Sequence, residues 1–267
     1  MNKILSIIIK LAFFALLTIL TQVGGLVFLL SLLISRHLKQ QFRFKLLTLF
    51  VVFYLISTYI LIPIISPFFG RERVDNTAII HPTNYLTILL NRNYVAPELN
   101  ELFKFTEKKL ENTDIQIHYL DANFPFLIGF PLLPHLSHND GRKIDLSLIY
   151  ETKEGQISTQ QKSNSGYGVF EKPKPNEVDQ VSLCLNKGYI QYDYPKYMTF
   201  GSINNNLLFS EKGTKTLIIA LLESKNMEKL FIEPHLKERL NLESKRIRYH
   251  GCKAVRHDNH IHVQVKR

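Results

Sequence analysis

Two short stretches of this sequence gather side chains that can hold a metal ion and move protons. Near the C-terminal end, His257, His260 and His262 crowd into six residues. In a strand, residues two apart point to the same face, so His260 and His262 converge while Ile261 and Val263 face away. His257, just ahead, can fold over the same mouth. Taken by itself, an H-x-H at this place reads first as a solvated polar edge. The second stretch runs Ser137-His138-Asn139-Asp140-Gly141-Arg142-Lys143-Ile144-Asp145. An imidazole and a carboxylate seven residues apart, with a glycine between them to turn the chain, can offer one nitrogen and one oxygen to the same ion. His138 as a hydrogen-bonded loop residue and Asp145 as a buried strand carboxylate stay open. A carboxylate flanked by Ile144 and Leu146 nevertheless needs a partner to remain charged, whether metal, arginine or backbone amides. Together the stretches supply one carboxylate and two neutral imidazoles for Zn²⁺. The fourth tetrahedral position is left to water, as in a catalytic rather than a structural zinc site.

With both stretches in view, the chain resembles the penicillin-insensitive murein endopeptidases, in the LAS group of zinc peptidases. The pattern S-H-x-x-G-x-x-x-D matches Ser137, His138, Gly141 and Asp145, and H-x-x-H-x-H matches His257, His260 and His262. Residues 230–237 look like the strand and helix that precede the family's last motif, and residues 117–121 like the strand entering the first. The resemblance spans roughly residues 114–265 and implies Zn²⁺ ligands at His138, Asp145 and His262. It also implies His260 as general base and His257 as the group that polarises or protonates the reacting amide. The chemistry is consistent: a neighbouring imidazole with an ordinary pKa near 6.5 can take a proton from water and pass it to a leaving amine. Asp121, Asp140 and Asp258 are candidates for orienting the ligand imidazoles, and each reads equally as a plain surface or turn residue.

These residues must be carried by regular elements. Pro97 opens a helical pattern in which Leu99, Leu102, Phe103, Phe105, Thr106 and Leu110 recur near helical spacing, ending before Asp114. Alternation predicts strands over residues 115–119, 143–150, 230–232 and 260–265, and helices over 214–225 and 234–240. Residues 151–180, polar and broken by Gly155, Gly166, Gly168, Pro173 and Pro175, read as a long surface excursion. Excursions of that length in a compact domain are often functional. The mixed order of strands and helices predicts an α+β fold with a mainly antiparallel sheet. Cys184 and Cys252 fit either one bridge or two separate thiols.

Composition divides the chain. All 23 acidic residues follow Gly70, whereas residues 1–70 hold only Lys3, Lys10, Arg36, Lys39, Arg43 and Lys45 as formal charges. The net charge of +10 therefore shrinks to +4 after Gly70, and no basic stripe argues for nucleic acid. Residues 11–34 and 46–70 are charge-free runs of 24 and 25 residues, each longer than the roughly 20 needed to cross a lipid bilayer as helix. The first is also too long for the apolar core of a signal peptide. Gln22, Gly24 and Gly25 interrupt it with polar or small groups, suited to close helix packing or merely tolerated. The connection between the runs carries Arg36, Lys39, Arg43 and Lys45, which keeps it in the cytoplasm and everything after Gly70 outside.

The expected organisation is a transmembrane hairpin at 1–70, a connector and helix at 71–113, and a zinc peptidase domain at 114–267. The function the resemblance implies is hydrolysis of D-alanyl amide bonds in peptidoglycan peptides on the extracytoplasmic side of the cytoplasmic membrane. A D,D-carboxypeptidase or dipeptidase, and a non-catalytic zinc-containing domain that binds murein or protein, are the alternatives.

Overall fold

The computed structural model describes residues 3–39 and 44–267, so Arg43 lies outside the described residues. The chain forms two compact units. The first takes residues 1–74, 86–97 and 122–141. Its helices are α1 (Lys3–Thr21), α2 (Gly24–His37) and α3 (Lys45–Ile56). A π-helical stretch, Ser57–Leu61, leads from α3 to a single turn, α4 (Ile62–Ile65), and a 3-10 turn, Ser66–Phe69.

The run at residues 11–34, expected as one span, is instead two helices. Gln22 takes a positive φ of 67°, and the Thr21 hydroxyl at the end of α1 accepts from the Gly24 amide, the first of α2, at 2.8 Å. A Cβ on Gly25 would come within 2.7 Å of the Phe14 carbonyl oxygen, so this glycine lets α2 fold back closely on α1. Among the described residues, two helices are long and apolar enough to cross a membrane, Lys3–Thr21 and the continuous stretch Lys45–Phe69. At 14 residues, α2 is about 21 Å long, short of a ~30 Å hydrocarbon layer.

The rest of this unit is built onto the helices. Strand β1 (Glu72–Arg73) pairs antiparallel with β3 (Tyr94–Val95), and a short turn, α5 (Leu86–Leu89), precedes β3. The Tyr54 hydroxyl donates to the Leu89 carbonyl at 2.6 Å. Val23, Ile62 and Tyr94 form a small core with Tyr54 and Phe126 against it. Residues 122–141 belong here as well. The Phe126 amide donates to the Gln22 side-chain oxygen at 2.9 Å, and Arg71 donates to the carbonyls of Phe124 and Asn139.

The second unit takes residues 75–85, 98–121 and 142–267. Its six-stranded sheet has the order β10-β9-β11-β5-β4-β2. The strands are β2 (Ile80–Pro82), β4 (Ile117–Tyr119), β5 (Lys143–Ser147), β9 (Met227–Phe231), β10 (Ile247–Arg248) and β11 (His260–Val265). The expectation of a mainly antiparallel sheet is corrected: the sheet is mixed. Its centre, β9-β11-β5-β4, is antiparallel, but both outer pairs, β10 with β9 and β4 with β2, are parallel. The cause is connectivity, since parallel neighbours need a crossover. Helix α6 (Pro97–Leu110) lies between β2 and β4 in sequence, and α9 (Pro234–Arg239) between β9 and β10. Strand β2 comes from the segment read as a connector, where three residues are too few to show alternation.

Helix α8 (Glu211–Glu223) starts at Ser210, whose hydroxyl accepts from the Gly213 amide, and buries Leu217, Ile218 and Leu221. A three-stranded antiparallel sheet, β7-β6-β8, is made by β6 (Tyr150–Glu151), β7 (Ile157–Ser158) and β8 (Leu208–Phe209). Helix α7 (Gln180–Asn186) carries Cys184, which is bonded to Cys252 with the two Cα atoms 5.2 Å apart.

Candidate metal centre

The central strands of the large sheet decide where the candidate side chains point. In β5 and β11, Ile144 and Leu146 stand opposite Val263 and Ile261, all fully buried on one face. The other face carries the opposed pairs Asp145 with His262 and Ser147 with His260. Alternation in both strands thus puts a carboxylate and two imidazoles on one side of a hydrophobic sheet.

Asp145 is the hub of this cluster and is fully buried. Its Oδ1 lies 2.8 Å from His262 Nδ1, and its Oδ2 is 3.7 Å from His260 Nε2. The Tyr167 hydroxyl donates to Oδ2 at 2.7 Å. Burial and the adjacent Asp145 carboxylate push the Tyr167 phenol far above its ordinary pKa, so it remains a donor. The backbone also serves Asp145, whose amide donates to the Asp121 carbonyl at 2.9 Å.

Tyr167 reaches this position because of the glycines on either side of it. Gly166 and Gly168 have φ of +83° and +81°. A Cβ on Gly166 would meet Leu120 Cδ2 at 2.2 Å, and one on Gly168 would meet the Pro195 carbonyl oxygen at 2.5 Å. Both backbone conformation and space therefore demand glycine. Sequence reading marked this excursion and its glycines but did not single out the tyrosine between them.

The residues leading into β11 complete the cluster. His260 Nδ1 is 2.5 Å from the Asn259 side-chain oxygen, which fixes the Nδ1–H tautomer and makes Nε2 the basic nitrogen. His257 is buried with its ring centroid 4.8 Å from that of His260 and 5.8 Å from that of His262. Burial, then the neighbouring His260 and His262, hold His257 well below its ordinary pKa, so it is a neutral imidazole at pH 7. The His257 amide donates to Glu233 Oε1 at 2.9 Å, and the Tyr192 hydroxyl donates to Oε2 at 2.6 Å. Burial pushes the Glu233 carboxyl up to about 7. Arg256 clamps Asp258 through two nitrogens and reaches Asp193 at 2.8 Å. Asp258 thus fixes the backbone beside His257. An exposed histidine that sequence reading left out, His250, stacks on His262 at 6.3 Å between ring centroids and packs on Phe231 at 4.4 Å.

His138 lies in the first unit, buried, with Nδ1 2.8 Å from the Ala122 carbonyl oxygen. This bond places the proton on Nδ1 and leaves the lone pair on Nε2, the nitrogen that could take a metal. Gly141, at φ +85°, turns the chain where a Cβ would crowd the Ala96 amide at 3.3 Å. His135 packs beside His138 in the same loop, the two imidazoles edge to face with centroids 5.5 Å apart. His135 was not among the expected ligands; its place three residues before His138 in the proline-bearing loop gave no periodic signal. Imidazoles and a buried carboxylate are a fitting donor set for a borderline dication such as Zn²⁺. Compared with known proteins, the chain matches no family model and no curated protein sequence.

Proposed function

We propose that this chain is a membrane-attached zinc metallopeptidase that hydrolyses D-alanyl amide bonds in peptidoglycan peptides, as a murein endopeptidase. One observation carries the reading: Asp145, buried in a central strand, has His262 at 2.8 Å and His260 at 3.7 Å on the same face of the sheet. His138, Asp145 and His262 are the proposed Zn²⁺ ligands, with His135 as the competing third donor. A purely structural site has no use for the additional buried imidazoles of His257 and His260.

Bound there, zinc would acidify water and polarise a carbonyl. His260 Nε2 takes the proton of the attacking water and returns it to the amide nitrogen as the C–N bond breaks; Asn259 holds the ring for this. His257, neutral, donates a hydrogen bond to the reacting amide. Tyr167 orients Asp145. The Cys184–Cys252 bridge suits an oxidising compartment outside the cytoplasm, where peptidoglycan also lies. The two apolar helices hold the protein at the membrane, with the second unit on the outer side.

The test is to incubate the full-length protein, in detergent and loaded with Zn²⁺, with purified sacculi and to identify the muropeptides released. Conversion of crosslinked dimers to monomers, lost in His260→Ala, supports the reading. Shortened stems make it a carboxypeptidase, and an unchanged digest removes peptidase activity on murein.

A further inference from the structure

The same face of the large sheet carries a second pair of imidazoles, away from Asp145. His81 and His118 are direct partners across the parallel strands β2 and β4. Their rings meet edge to face with centroids 4.4 Å apart, and their Nε2 atoms are 3.4 Å from each other. That distance is long for a hydrogen bond from a ring N–H, which prefers about 2.7–3.2 Å. It matches the separation of two nitrogens held at about 2.0–2.1 Å on one tetrahedral ion, roughly 3.3 Å. Gln116, two residues before His118, brings a side-chain amide to the same place, close enough to His81 to affect its proton affinity.

We propose that His81 and His118 form a second metal site, for a first-row transition dication such as Zn²⁺, Cu²⁺ or Ni²⁺. Two imidazoles select these over Mg²⁺ and Ca²⁺, which take oxygen ligands. Access is open, because β2 is an edge strand and both imidazoles are only partly buried. Burial lowers the proton affinity of both rings, His118 to about 4, so both are neutral donors at pH 7. The strand register sets the position. Tyr119 opposite Leu146 places His118 opposite Ser147, and Ser147 faces His260. His81, His118, Ser147 and His260 therefore form one row across four strands, and the second ion, between β4 and β2, lies about two and a half strand spacings, roughly 12 Å, from His260.

The test is metal stoichiometry of full-length protein in detergent after equilibrium dialysis against micromolar Zn²⁺ and, separately, Cu²⁺. Wild type is expected to hold one equivalent more than His81→Ala or His118→Ala, and Asp145→Ala is expected to keep that equivalent. The comparison stands whether or not the Asp145 cluster binds zinc. Cu²⁺ bound to Asp145→Ala is expected to show nitrogen hyperfine coupling in its paramagnetic resonance spectrum, lost on adding His81→Asn, a change at a half-exposed position that the fold tolerates. Identical stoichiometry in wild type and both alanine variants, or a copper spectrum unaffected by His81→Asn, would overturn the proposal.

Discussion

Asp145 and His262 face each other across neighbouring antiparallel strands, and their side chains meet at 2.8 Å between Oδ1 and Nδ1. Each strand is fixed by hydrophobic neighbours on its other face, so this contact is set by the sheet itself. Asp145→Asn keeps the volume and removes the charge. Zn²⁺ binding to the full-length protein is expected to weaken more than about 100-fold, beyond the 10–100-fold typical of losing an outer partner. His262→Ala is expected to do the same, while His135→Ala leaves affinity within a few fold. Competition with a fluorescent chelator checks all three, and the reverse order for the two histidines would make His135 the third ligand.

Tyr167 touches Asp145, and would act on a bound metal only through that carboxylate. Tyr167→Phe removes only the hydroxyl that donates to Oδ2 at 2.7 Å. The ring and its edge-to-face packing on His260, 5.1 Å between centroids, are kept. The expected outcome is a 10–100-fold lower Zn²⁺ affinity with an unchanged circular dichroism spectrum. Wild-type affinity in this variant would show that the tyrosine only fills space.

Glu233 ties acidity to stability. Its carboxyl is raised from an ordinary 4.5 to about 7 by burial, so the folded protein holds this proton more tightly than the unfolded chain. Its contribution is full below pH 4.5 and is lost as pH rises through about 7, a swing on the order of 3 kcal/mol. Glu233→Gln can still accept from the His257 amide and does not titrate. Chemical denaturation between pH 5 and 8 is expected to show a flatter stability profile for this variant and a gain over wild type at pH 8. An unchanged slope would mean that another group titrates there.

The contrast between what was legible and what was not follows the physics of each signal. Strand β11, at His260–Val265, matches the expected bounds because its period-two pattern is uninterrupted, and α6 starts at Pro97 where the sequence places a helix start. The break in the first apolar run was marked by Gln22, Gly24 and Gly25, but hydropathy does not report a change of φ at one residue. Strand β2 is short and gains its hydrogen bonds from β4, thirty-odd residues away, so only pairing reveals it. Tyr167 and Glu233 are single residues whose partners are distant in sequence, which spacing cannot show.

The loop that carries His138 depends on the helical part of the chain, and this gives the last prediction. Residues 122–141 fold in the same unit as α1, α2 and α3, with the Phe126 amide bonded to Gln22 and Arg71 bonded to the Phe124 and Asn139 carbonyls. Gln22 sits in the turn between two apolar helices, so its side chain, buried there, is a polar partner that the loop backbone would otherwise lack. A tether would be dispensable for the chemistry, whereas a scaffold is not. Removing residues 1–70 is therefore expected to lower the Zn²⁺ affinity of the protein at least 10-fold. Gln22→Ala in the full-length protein is expected to give a smaller loss of the same sign, since it leaves the part-buried Phe126 amide without its acceptor. Equal zinc affinity in the truncated and full-length proteins would reduce the helices to an anchor.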